Sequence, residues 1–182
     1  EFLKEYFKTL QFDFEHDLQQ GLLHFYELAK KIGDRKTPVI GITGSNGKTI
    51  VKEWLYQLLN DEYTIVRSPK SYNSQIGVPL SVWAMNEQHT FGIFEAGISE
   101  QGEMLRLERI IHPTIGVFTN IGTAHDANFS SRQEKVKEKT QLFDHVEVLV
   151  YCKDYPEVVT ETDSHKFHHS AFRRFTWSRK TK

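Results

Sequence analysis

One cysteine, Cys152, is all the thiol chemistry this 182-residue chain has. An internal disulfide is thereby excluded, and so is a zinc site built from paired cysteines. A lone thiol fits a reducing compartment, and a cytoplasmic location is expected. No apolar run approaches the ~18 residues that a membrane span needs. The opening Glu1-Phe2-Leu3-Lys4 does not have the pattern of a secretory signal. Neither sign of charge is in excess, with 23 Lys and Arg against 24 Asp and Glu, so no global basic field points to nucleic acid. Internal repeats and low-complexity segments are also missing. What remains, 38% hydrophobic and 26% charged residues, is the composition of a globular chain long enough for one domain with a real core.

The most informative stretch present runs from Ile40 to Val51, I-G-I-T-G-S-N-G-K-T-I-V. Val39 to Ile42 reads as a buried strand. Thr43-Gly44-Ser45-Asn46-Gly47 is a glycine-rich turn. Lys48-Thr49 then opens a segment with apolar residues at helical spacing, Val51, Trp54, Leu55, Leu58 and Leu59. Strand, glycine turn and helix together form the context of a phosphate-binding loop. Backbone N–H groups at a helix start point at an anion, and the helix dipole favours it. Lys48 would reach the β- and γ-phosphates of a nucleotide, and the Thr49 hydroxyl would sit on Mg²⁺. One glycine of the general pattern is missing, because position 42 is Ile42. The shorter core, Gly44-x-x-Gly47-Lys48-Thr49, also fits a plain strand-turn-helix connection with a surface lysine.

Further elements alternate along the chain. Residues 1–14 are rich in aromatics and start abruptly, as the edge of a fragment would. Leu18, Leu22, Phe25, Leu28, Ala29 and Ile32 give residues 16–32 one apolar helical face, stopped by Gly33-Asp34. Strands are expected at 64–66, 91–97, 114–119 and 147–151, with one more beginning at Phe175-Thr176-Trp177. Helices are expected after Pro79 (Leu80, Val82, Trp83, Met85), over 102–111, and over about 130–145. The fold class is therefore α/β, with a mostly parallel sheet flanked by helices on both faces.

In such sheets ligands bind beyond the carboxyl ends of the strands. Three strand ends carry chemistry: the glycine loop after the first, Glu95 closing the strand from Phe91, and Asn120 with His125 after the strand from Thr114. Glu95 is placed to hold Mg²⁺ directly or through water, or else it simply reaches solvent. His125 taken alone reads as a surface residue. Lys139 is more unusual. Val136, Phe143 and Val146 mark the apolar stripe of the 130–145 helix, and Lys139 falls inside it. Either it snorkels along the stripe's edge or it faces a nucleotide crevice. Its neighbours Lys135, Lys137 and Glu138 read as a solvated charged face. Arg173, Arg174, Arg179, Lys180 and Lys182 form an exposed basic end, and His165, His168 and His169 fall in a loop with no second ligand set at metal spacing.

T-G-S-N-G-K-T followed by V-K-E-W-L resembles the Mur ligases of peptidoglycan synthesis. Asn73-Ser74-Gln75-Ile76-Gly77-Val78-Pro79, Glu95-Ala96-Gly97 with Gln101-Gly102-Glu103, and Asn120 to His125 with Lys139 and Phe143 are similar to further family motifs in the same order. The missing glycine at position 42 is normal in this family. The resemblance covers about residues 38–151. It implies a nucleotide cradle of Gly44, Ser45, Asn46, Gly47, Lys48 and Thr49 with Asn120 lining the crevice. It implies magnesium sites served by Thr49, Glu95, His125 and Lys139, the last at a position the family carbamylates. It makes Lys48, Lys139 and His125 the catalytic candidates, and it puts Asn73 and Ser74 where the muramoyl-peptide approaches. Glu100 departs from a frequent histidine, and Thr123 and Asp126 fall in a variable loop. The implied reaction is ATP-dependent amide formation through an acyl phosphate, with UDP-N-acetylmuramoyl-tripeptide and D-alanyl-D-alanine as substrates. A different muramyl ligase, a folylpolyglutamate synthase and a nucleotide-binding module without turnover are the competing readings. Loop 120–131 also resembles versions fused to an alanine racemase. By the same resemblance, residues 1–34 would be the end of an N-terminal domain with its linker helix. Residues 35–182 would be part of the central ATP-binding domain, and the C-terminal domain would be absent.

Overall fold

A computed structural model describes residues 37–122, 128–169 and 172–178, all within the compact unit Thr37–Lys182. The expected helix at 16–32, the remnant at 1–34, His125, Thr123, Asp126, Arg179, Lys180 and Lys182 lie outside the described residues.

Among the described residues, six parallel strands are interleaved with five α-helices: β1 Val39–Thr43, α1 Lys48–Leu59, β2 Ile65–Arg67, α2 Gly77–Trp83, β3 Phe91–Glu95, α3 Glu103–Ile111, β4 Ile115–Phe118, α4 Arg132–Thr140, β5 Val148–Cys152, α5 Pro156–Ser164 and β6 Arg173–Trp177. The sheet order is β2-β3-β1-β4-β5-β6. β1, β3 and their flanks are buried on both faces, which is why they read as unbroken apolar runs. The chain crosses from β1 over β3 to reach β2, then later crosses from β3 over β1 to reach β4. The connections therefore diverge about β1, and that divergence opens a crevice at the strands' carboxyl ends.

Ile40, Ile42, Ile93 and Phe91 form the core under α1, with Val51, Leu55, Tyr56 and Leu59 packed on them. The helical spacing read from the sequence was too wide here: Trp54 (62% exposed) and Leu58 (77%) turn outward. Ile115 and Val117 join that core, and in register with them Val148, Val150 and Phe175 continue the same face. Among the described residues α1 is the helix that packs on that face, and Phe175 and Trp177 are about half exposed. On the opposite face α2 to α5 pack in succession.

The helix expected at 130–145 ends at Thr140, and a 3₁₀ turn, Gln141–Phe143, buries Leu142 and Phe143. Helix α5 was not anticipated. Its β-branched Val158, Val159, Thr160 and Thr162 mask it, yet Pro156 stands at its start, where proline is favoured, and Val158, Glu161 and Thr162 face α4 at helical spacing. No helix among the described residues is long and apolar enough to cross a membrane.

Candidate active site

Register fixes the site before any side chain is considered. Ile42 of β1 lies beside Glu95 of β3 and Val117 of β4, and Thr43 beside Phe118. Three strands therefore end at one level, where the glycine turn begins. Gly44 adopts φ +141° and Gly47 φ +79°. Gly44 also allows a close approach: a Cβ there would sit 2.0 Å from Thr119 Oγ1 and 3.0 Å from the backbone of Asn120. Gly47 then precedes α1 and leaves the helix's first N–H groups with no side-chain cap. This is the arrangement that binds an anion.

The end of β4 braces the turn. Ser45 N–H donates to Asn120 O at 2.9 Å and Asn46 N–H to Asn120 Oδ1 at 3.0 Å. Asn120 Nδ2 returns a bond to Asn46 O at 3.0 Å, and Thr119 Oγ1 donates to the same oxygen at 2.7 Å. Asn120, expected to line the crevice, therefore holds the cradle's backbone.

Glu95 is fully buried, so the solvent-reaching reading fails. The Thr49 hydroxyl lies 3.0 Å from Glu95 Oε2, and Lys52 Nζ lies 2.9 Å from Oε1. Sequence reasoning missed Lys52. It is fully buried and also donates to Ser68 O at 2.7 Å and to Lys70 O. The available signal was Lys48 and Lys52 one helical turn apart on one face of α1. Lys48 Nζ donates to Gly44 O at 3.0 Å, and burial lowers its pKa against the pull of Glu95.

Lys139 is buried at 3% exposure and does not snorkel. Burial, followed by repulsion from Lys48 and Lys135, lowers its pKa to about 7, with Glu138 opposing. Electrostatics thus ties α4 to the phosphate loop. The expected solvated face of α4 is corrected in the same region: Lys137 is exposed, but Lys135 and Glu138 are buried. Helices α3 and α5 pack on α4, and Glu138 Oε1 accepts from Met104 N at the start of α3, 3.0 Å.

A pH effect follows from Lys139. Its folded pKa lies below the ordinary lysine value, so between about pH 7 and 10.5 the unfolded chain binds more protons, and stability rises with pH. Lys139→Met removes the penalty. In CO₂-free buffer the variant should exceed the wild type in urea resistance most at about pH 6, with the gap closing by about pH 10. A gap that does not vary with pH would refute the depressed amine.

Asn73 and Ser74 lie on the loop before α2. Asn73 O accepts from Gly97 N at 2.7 Å, which ties this loop to the segment after β3. Ser74 Oγ accepts from Gly77 N at 3.1 Å at the start of α2. His165 pairs with Asp144 at 2.7 Å and lies in the expected loop, as do His168 and His169. Arg173 and Arg174 are exposed on β6, and Arg174 pairs with Asp163 at 2.9 Å. Among the described residues no group of three or more His, Cys, Asp or Glu side chains forms a metal cage of its own.

Residues 42–178 match the family described as the Mur ligase middle domain. The UDP-N-acetylmuramoyl-tripeptide–D-alanyl-D-alanine ligase of Treponema pallidum is 40% identical over 104 residues, 57% of this chain and 23% of that protein. The ligase of the same name from Bacillus subtilis is 37% identical over 123 residues, 66% of this chain and 27% of that protein. The chain thus spans about a quarter of the length of these relatives. A crystal structure of MurF ligase from Thermotoga maritima in complex with ADP superposes with a TM-score of 0.74 at 26% identity, covering 87% of this chain and 36% of that one.

Proposed function

The chain belongs to the Mur ligase family, and on that premise we propose that it carries the ATP-binding core of a ligase that joins D-alanyl-D-alanine to UDP-N-acetylmuramoyl-tripeptide. The observation that supports this most directly is the meeting of the glycine cradle, Lys48 and the Thr49–Glu95 contact at the ends of three strands. Phosphoryl transfer to a carboxylate needs positioning and charge neutralisation, not a protein nucleophile. The cradle's N–H groups and Lys48 hold the triphosphate, and Thr49 and Glu95 are hard oxygen donors suited to Mg²⁺. When bound, the metal offsets charge on the phosphate oxygens. His125 is assigned to the same magnesium sites. Lys139 is assigned as a carbamate. An amine with pKa about 7 is substantially uncharged at neutral pH, the form that takes up CO₂. The resulting anion would suit a place repelled by Lys48 and Lys135, and it would offer oxygen ligands. Asn73 and Ser74 are assigned to the muramoyl-peptide side.

These assignments imply a cytoplasmic enzyme, because both ATP and a UDP-sugar substrate are made there. A nucleotide-binding module without turnover is the behaviour expected of the chain on its own, given the share of its relatives that it spans. Mg-ATP should raise its unfolding temperature slightly, since weak binding shifts stability little. Lys48→Ala should erase that shift. Ligation should require the flanking domains of the longer relatives. No thermal response to saturating Mg-ATP would sink the nucleotide reading, and product formed by this chain alone would overturn the need for flanking domains.

A further inference from the structure

Lys135 enters the site so far only as a charge that repels Lys139. It lies on α4 one turn before Lys139 and is fully buried. Its ammonium donates to Gly122 O, just beyond the end of β4. Gly122 meets the phosphate loop at Ser45: its N–H donates to Ser45 Oγ at 2.9 Å, and that hydroxyl lies 3.3 Å from Gly122 O. From the same helix, Arg132 Nη2 donates to Ile121 O at 3.1 Å. Helix α4 therefore grips two successive carbonyls of a segment whose other side holds Ser45 and Asn46.

We propose that Lys135 is a positioning residue for the phosphate loop, acting through Gly122 and Ser45 to keep the cradle's N–H groups aimed at a bound triphosphate. The proposal rests on the nucleotide reading above. Desolvating an ammonium is costly, and an apolar side chain of equal length would fill the same space without that cost. The charge is therefore better explained by what it holds than by packing. Its hydrogen bond to a carbonyl that itself touches Ser45 carries the effect over two links, with no contact to the nucleotide required.

The test compares wild type, K135M, K135R, S45A and the K135M/S45A double variant. Mg-ATP affinity is read by competition with a fluorescent nucleotide, and the unfolding midpoint is read without nucleotide. Losing a hydrogen bond from a charged donor should weaken Mg-ATP binding by K135M about tenfold. S45A should weaken it comparably, and the double variant should be no weaker than K135M, because both remove one brace. K135R should restore most of the affinity. The nucleotide-free midpoint of K135M should fall, because Gly122 O loses its charged donor, while that of K135R should stay near wild type. Unchanged affinity in K135M, or strictly additive losses in the double variant, would overturn the brace while leaving the nucleotide reading in place. A loss of affinity that K135R leaves in place while its own midpoint returns to that of wild type would overturn it in favour of a purely structural lysine. A wild type that does not bind Mg-ATP would take the nucleotide reading down and the brace with it.

Discussion

Lys52→Met is expected to destabilise this unit by about 3–5 kcal/mol, the usual cost of removing one partner from a buried ion pair. Both side chains of the Lys52–Glu95 pair are fully buried. Without Lys52, Glu95 keeps only the Thr49 hydroxyl as a side-chain donor, and the carbonyls of Ser68 and Lys70 lose their shared ammonium. Lys70 sits at φ +51°, so the turn that Lys52 holds is itself under backbone strain. The loss therefore has two parts, an uncompensated carboxylate and a released turn. Glu95→Gln introduced together with Lys52→Met removes the first part and leaves the second. The double variant should recover more than half of the stability lost, as measured by urea denaturation. If the double variant is as unstable as Lys52→Met alone, the pair's charge is not what matters, and the turn carries the whole effect.

Gly44→Ala should abolish Mg-ATP binding. The new Cβ would lie 2.0 Å from Thr119 Oγ1, a distance no side chain tolerates, and φ +141° is itself unfavourable for alanine. Thr119 cannot simply rotate away, because its hydroxyl donates to Asn46 O and lies near Thr43 O. The loop must move off the ends of β1 and β4 together. A cost of about 1–3 kcal/mol in stability is expected from the strained backbone alone. Gly47→Ala is the comparison. Nothing lies within 4 Å of its added Cβ, so only the left-handed conformation is penalised, at about 1–2 kcal/mol. Should Gly44→Ala bind Mg-ATP as wild type does, in titration calorimetry, the glycine turn is not the cradle.

Much of the scaffold was legible because local pattern and tertiary fate agree. β1, β3 and β4 are short apolar runs bounded by turn residues, and a strand buried on both faces leaves no other pattern. The cradle was legible because its requirement is local: glycine where φ is positive, then lysine and threonine at a helix start. Helix α5 was not legible, since its threonines and valines favour strand and outweigh the proline at its start, and its buried face is settled by packing against α4. The faces of α1 and α4 were misread for a related reason. Trp54 and Leu58 are apolar yet face outward, and Lys135 and Glu138 are charged yet buried. Helical spacing shows which residues share a face, but it does not say what the other faces will meet.

From the order of its residues alone, this chain determined an alternating α/β architecture, a phosphate-binding turn and the strand ends where its chemistry should gather. Only the tertiary structure decided which charges are paired. Lys52 finds Glu95 43 positions away, and Lys135 reaches Gly122 and through it Ser45. The physical reason is that the cost of burying a charge is fixed locally, by the side chain, while its compensation comes from whatever group the fold carries to it. Spacing along one helix holds no information about that second group.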